Sequence, residues 1–197
     1  MPEENFVTSR TFKTAGSLAM ASAFLTLPLA YLSYSLEGRT DSYANEIQTF
    51  LQAFGTLIFI TIILYLKRFL NFFLKFHDAD KSIDFMVMTG MATGVVTIGI
   101  FSFPALKESL VSAIVVILVL QGIVQARFGY KLLKLPNDLG GILKPFCYAN
   151  MATGILLATV ILIPLSMVVS AISDLMLGTI FFSISKLMKE HEMKIET

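Results

Sequence analysis

Residues 165–188, LSMVVSAISDLMLGTIFFSISKLM, decide the fold of this chain. Pro164 stands before them and Asp174 interrupts them, so the segment is either a carboxy-terminal tail or a last transmembrane helix. Charge asymmetry separates the two, because cytoplasmic loops near span ends are enriched in Lys and Arg. Five apolar blocks precede the segment, at about 15–36, 47–66, 83–104, 109–126 and 146–165. If residues 165–188 form a sixth, one side of the membrane holds Arg10, Lys13, Lys67, Arg68, Lys75, Lys81, Arg127, Lys131, Lys134, Lys144, Lys186, Lys189 and Lys194, and the other only Arg39 and Lys107. With five spans the last three lysines change sides and most of the asymmetry is lost. The expectation is therefore six spans with both termini in the cytoplasm.

Composition agrees with a membrane class. The chain of 197 residues is 55% hydrophobic and 15% charged, with a mean hydropathy of +0.75. A soluble domain of this size carries more polar surface. The apolar blocks approach the roughly 20 residues that cross about 30 Å of hydrocarbon at 1.5 Å per residue. Runs such as LIFITIILYL (57–66) and SAIVVILVLQ (112–121) do not alternate, which excludes a transmembrane barrel. One cysteine, Cys147, excludes an internal disulfide and a cysteine-rich metal site. Arg10 and Lys13 precede the first apolar run as in a signal peptide, but the acidic start and the length of the run fit a retained first span.

Outward from the deciding segment, the sequence repeats itself. MATG occurs at 91–94 and 151–154, and in each case a proline stands ten residues after the glycine, at Pro104 and Pro164. VSAI recurs at 111–114 and 169–172, RFLNFFLKF (68–76) aligns with RFGYKLLKL (127–135), and KLLK (131–134) is echoed by KLMK (186–189). Offsets of about 55–60 residues equal one helical hairpin. The expectation is an all-α, polytopic membrane helical bundle built as three consecutive two-helix hairpins, about 14–76, 77–135 and 136–190, in one membrane domain. Mitochondrial carriers share a six-helix, three-hairpin plan, but their odd helices carry a proline followed by an acidic and a basic residue. Here the prolines are followed by LAYLS, ALKES and LSMVV, and that family is not assigned.

In lipid, helices associate through close backbone contact at small residues. Gly90 and Gly94 form such a pair in the third span, Gly154 and Ala158 in the fifth, and Ala15, Ala19 and Ala23 in the first. Bulky even spans then suggest an inner trio of odd helices shielded from lipid by the even ones. In this picture Thr93 and Thr153 bond back to a carbonyl four residues earlier or across to a neighbour.

Asp174 is the candidate polar centre within the membrane, with Asn150, Thr153 and Thr93 beside it. Aligned through VSAI it matches Val116 and lies about 10 Å below the outer surface. A carboxylate at mid-membrane costs about 2.5–3.5 kcal/mol and often marks an ion path. The competing reading is that Ser173 and Asp174 cap the start of the last helix. Gln52, Gln121 and Gln125 are further neutral polar groups in or near spans. His77, Asp78, Asp80 and Asp84 in HDADKSID have metal-ligand chemistry, though short polar loops of this kind are commonly turns and caps, and no metal is assigned. Met86, Met88 and Met91 can ligate Cu(I) but also serve as packing residues. Arg68 and Arg127, at matching repeat positions among interfacial aromatics, are the choice for an anionic lipid headgroup.

No Ser-His or Cys-His constellation, no paired intramembrane carboxylates and no phosphate loop are present, so no enzyme is assigned. No span carries a histidine for haem, and no cofactor is implied. The leading expectation is a non-enzymatic membrane subunit, adaptor or scaffold. The alternative is a small proton- or cation-linked transporter or channel using Asp174, and a weaker third is a lipid-active enzyme centred on the HDAD loop. Expected partners are the lipid bilayer and another membrane protein or a second copy, with no nucleic acid. Absence of an Asn-x-Ser/Thr sequon and of a presequence leans towards a bacterial inner membrane.

Overall fold

The structure is a computed structural model, and it describes residues 8–36, 39, 42–135 and 141–195. It is all-α. Six helices follow in order: α1 Ser9–Leu36, α2 Ser42–Arg68, α3 Asp80–Ser102, α4 Lys107–Leu132, α5 Leu143–Ala158 and α6 Ile163–Ile195. A π-helical turn, Phe69–Phe73, extends α2, and a 3₁₀ turn, Pro104–Leu106, leads into α4. Five of the helices are long and apolar enough to cross a membrane. The exception is α5, whose 16 residues reach roughly 24 Å.

The chemistry of proline explains the short helix. Pro164 has no N–H to give the carbonyl four residues earlier, and its ring clashes with that carbonyl. That residue is Val160, where the backbone turns to a φ of 60° and the chain breaks before α6. The fifth apolar block, expected to run through residue 165, thus stops at Ala158. Pro164 falls instead in the first turn of α6, where a missing N–H removes no intrahelical bond. Similarly, Lys75 (φ 50°) turns the chain in the left-handed region just after the π turn.

The helices pack in chain order as a closed ring, α6 returning to α1. Ser185 Oγ donates to the carbonyl of Ser9 at 2.7 Å, so the first turn of α1 and the late part of α6 lie at one end. That end carries most of the lysines and arginines and is called the basic end below; the opposite is the far end. Tyr31, Tyr34 and Tyr43 are over 70% exposed at the far end, and Tyr130 and Tyr148 are exposed towards the basic end. Such belts suit amphipathic rings at a membrane interface.

The inner trio of odd helices is not what forms. Small residues do make the closest contacts, but between neighbouring odd and even helices. A Cβ on Gly122 of α4 would lie 2.5 Å from the carbonyl oxygen of Gly154 and 2.7 Å from the nitrogen of Ala158, so α4 and α5 meet backbone to backbone. Gly16 of α1 and Gly178 of α6 approach in the same manner: a Cβ added to either would lie 3.2 Å from the other's carbonyl oxygen. Gly90 and Gly94 of α3 instead receive the side chains of Phe59 and Thr56 of α2. The reason is two-sided: a backbone contact needs a small residue on both helices. Gly122, Ala126, Gly129 and Gly178 supply them within even spans that look uniformly bulky.

The interior of the ring is filled unevenly. Towards the basic end, Phe12, Phe69 and Phe181 pack with ring centroids 6.0–6.2 Å apart. Ile83, Met86, Phe128, Leu132, Phe146 and Ile184 continue this buried plug. The α1–α2 contact is the least extensive of the ring, and between these helices the interior opens into a cavity with both polar and apolar walls.

Candidate functional site

Asp174 is the twelfth residue of α6, roughly 16 Å along the axis from Ile163. It is therefore not a helix cap: the carboxylate stands about three turns inside a continuous helix. Ser22, halfway along the 28 residues of α1, donates its hydroxyl to Asp174 Oδ2 at 2.9 Å. Thr26 Oγ1 donates in turn to the Ser22 carbonyl at 2.8 Å. Among the described residues no lysine, arginine or histidine forms an ion pair with Asp174.

On its other side Asp174 adjoins a polar chain through Ser173. Asn150 Nδ2 donates to Ser173 Oγ at 2.9 Å and to the Phe146 carbonyl at 3.2 Å. Its Oδ1 accepts from Gln125 Nε2 at 3.4 Å. The polar groups of four helices, α4, α5, α6 and α1, thus follow one another across the bundle just beyond the aromatic plug. Phe181 lies two turns further along α6 than Asp174, roughly 10 Å.

Ser22 also lines a cavity of about 280 Å³ between α1, α2 and α3, with Met167 of α6 also on its wall. Its polar walls are Ser22, Thr26, Ser33, Gln48, Gln52 and Thr97. Leu25, Leu29, Leu51, Ile58 and Phe101 supply apolar surface. Among the described residues no charged side chain lines it. The cavity occupies the loosest seam of the ring, and Ser22 both faces the cavity and touches the carboxylate.

The remaining sequence candidates fall elsewhere. Thr153 is buried and donates to the Ala149 carbonyl at 2.9 Å, four residues back. Thr93 does not do the same: its hydroxyl oxygen is buried without a hydrogen-bond partner. The two copies of MATG share a glycine facing the preceding helix, but not a hydrogen-bonding threonine. Gly154 and Ala158 lie in the α4–α5 seam, and Gly90 and Gly94 face α2. Arg68 and Arg127 are exposed towards the basic end and line neither this cavity nor the groove between Ser42 and Ser102.

The HDAD segment ties helices together. Asp84 pairs with Lys67, Asp80 accepts from Asn71 Nδ2 at 2.8 Å, and Lys131 Nζ donates to the Asp78 carbonyl at 2.8 Å. His77 Nδ1 lies 3.4 Å from Asp80. Among the described residues no three of His, Cys, Asp and Glu converge as a ligand set. Met86 is buried in the core, whereas Met88 and Met91 are 56% and 49% exposed, so the three sulfurs do not share a face.

Ser22, Gln48, Thr26 and Thr97 were not singled out from the sequence. A signal was there: Ser22, Thr26 and Ser33 on α1, and Gln48, Gln52 and Thr56 on α2, fall at spacings that share one helix face. Comparison with known proteins adds no name, since no family model, no curated protein and no solved structure matches the chain.

Proposed function

We propose that this chain is a small proton- or cation-linked membrane transporter in which Asp174 is the ion-carrying group. The observation that carries the reading is the Ser22 hydroxyl, bonded to a mid-helix carboxylate while lining a cavity of mixed polar and apolar walls. A carboxylate at this depth with no cation beside it opposes membrane insertion, and such residues commonly mark ion or proton pathways. The buried aromatic cluster on the basic side supports a bundle closed at one end and hollowed towards the other.

The reading as a non-enzymatic subunit, adaptor or scaffold accounts for the glycine seams but gives no role to Asp174 or the cavity. We take the bundle to use all six helices as spans, α5 with the Thr159–Leu162 turn included. The three hairpins share an origin, and the basic end faces the cytoplasm of a bacterial inner membrane. The matching roles of Gly94 and Gly154, each facing the preceding helix, support the repeat. The Ser185–Ser9 bond and the positive-inside bias support the orientation.

The test is flux in proteoliposomes under an imposed pH or sodium gradient, across a panel of small solutes. Gradient-driven accumulation of one solute is expected in the wild type and its loss in Asp174→Asn, with the variant still eluting as a folded, monodisperse species. Accumulation undiminished in Asp174→Asn would remove the proposed role, and a bundle that moves no solute but always co-purifies with another membrane protein would favour the scaffold.

A further inference from the structure

The cavity beside Ser22 contains one side chain that the fold leaves unanswered. Gln48 is 8% exposed and lines the cavity, and no side-chain hydrogen bond to another described residue ties its carboxamide down. A carboxamide offers two donor hydrogens and an acceptor oxygen. The amide atoms of Gln48 are not sealed away but reach the cavity surface, where a solute can meet them. One turn further along α2, Gln52, which also lines the cavity, donates to Thr56 Oγ1 at 3.3 Å. The hydroxyls of Ser33 and Thr97 line the same space.

From these residues we infer that the cavity is a binding site for a small uncharged solute carrying an amide or hydroxyl group on a short carbon skeleton. Three features select this class. Two stacked carboxamides present donors and acceptors together, which suits a group that is itself both. Among the described residues the walls hold no Asp, Glu, Lys, Arg or His, so an anionic solute would shed water without meeting a counter-charge, and a cationic one would find the Asp174 carboxylate only behind Ser22. The volume of about 280 Å³ lies at the lower edge of small-molecule pockets, and Leu25, Leu29, Leu51 and Phe101 give the skeleton apolar wall. The inference deepens the transporter reading by naming its cargo: the solute binds at Gln48 and Gln52, Asp174 holds the ion, and Ser22 joins the two.

Binding is tested without any gradient, so that it is separable from transport. Ser33→Cys and Thr97→Cys serve as two independent reporters in nanodiscs. The native Cys147 is fully buried at the α4–α5 seam and provides the background. Modification by a small neutral thiol reagent is followed with butyramide, butyrate or butylammonium present, three probes of nearly one shape and three charges. Butyramide is expected to slow modification of both reporters, and the charged probes to leave it unchanged. Gln48→Leu, added to either reporter, should weaken the butyramide protection by about fivefold to tenfold, the size of a lost hydrogen-bonded contact. Asp174→Asn should leave protection intact, so a failed transport assay with intact protection would reject the ion role alone. Protection by no probe would mean that the cavity holds only water, and protection by a charged probe would assign the wrong class; either result overturns the inference.

Discussion

The two threonines of the repeated MATG sit in the same local sequence and meet different surroundings. Thr153 gives its hydroxyl to the Ala149 carbonyl, while the Thr93 hydroxyl is enclosed with nothing to bond. A buried unpaired hydroxyl costs about 1–3 kcal/mol, and a made hydrogen bond contributes about 1 kcal/mol. Thr93→Val is therefore expected to raise the thermal unfolding midpoint in detergent and Thr153→Val to lower it, although the exchange is the same. Asn150→Leu removes the centre of the polar chain and leaves Gln125 and Ser173 facing an apolar group. Hydrogen bonds between membrane helices average about 0.6 kcal/mol, so a loss of about 1–2 kcal/mol is expected from chemical or thermal unfolding. Neither threonine's fate was legible in the sequence, because four identical letters specify a helix turn and not what stands opposite it.

At the scale of the helix, the seams separate glycines that sequence treats alike. Gly122 faces backbone, Gly90 faces the edge of the Phe59 ring, and a Cβ added to Gly55 would meet nothing within 4 Å. Backbone cannot retreat without moving a whole helix, whereas a ring can turn aside. Gly122→Ala is thus expected to cost the most, about 1–3 kcal/mol or more, Gly90→Ala less, and Gly55→Ala nothing measurable. Midpoints of the three variants, measured side by side, check the order; a costly Gly55→Ala or a silent Gly122→Ala would contradict the seams described. That helices close on small residues was readable in advance. Which helix each glycine met was not, since the partner glycines are scattered singly through bulky runs of α4 and α6.

Across the whole molecule, the cavity beside Ser22 is separated from the basic end by the packed rings of Phe12, Phe69 and Phe181. If this plug seals the path, Phe181→Ala should open a leak. Dye-loaded proteoliposomes are expected to lose an imposed proton gradient faster than the wild type, whereas Phe54→Ala, at an exposed position on α2, should hold the gradient. Equal decay would remove the gating role of the plug. The π turn that presents Phe69 belongs to the same region, and π-helical turns recur at functional sites.

By itself the sequence determined that the chain is a bundle of apolar helices, and it singled out Asp174 and Asn150. Those conclusions follow from composition and from the run length of apolar residues, which are properties of one strand of chain in lipid. Only the tertiary structure decided that Asp174 lies within a continuous helix beside Ser22, that odd helices join even ones, and that Gln48 lines a cavity. Each of these depends on which residues from distant stretches stand opposite one another. Small residues permit many pairings, and the ring that closes is chosen by two-sided fit.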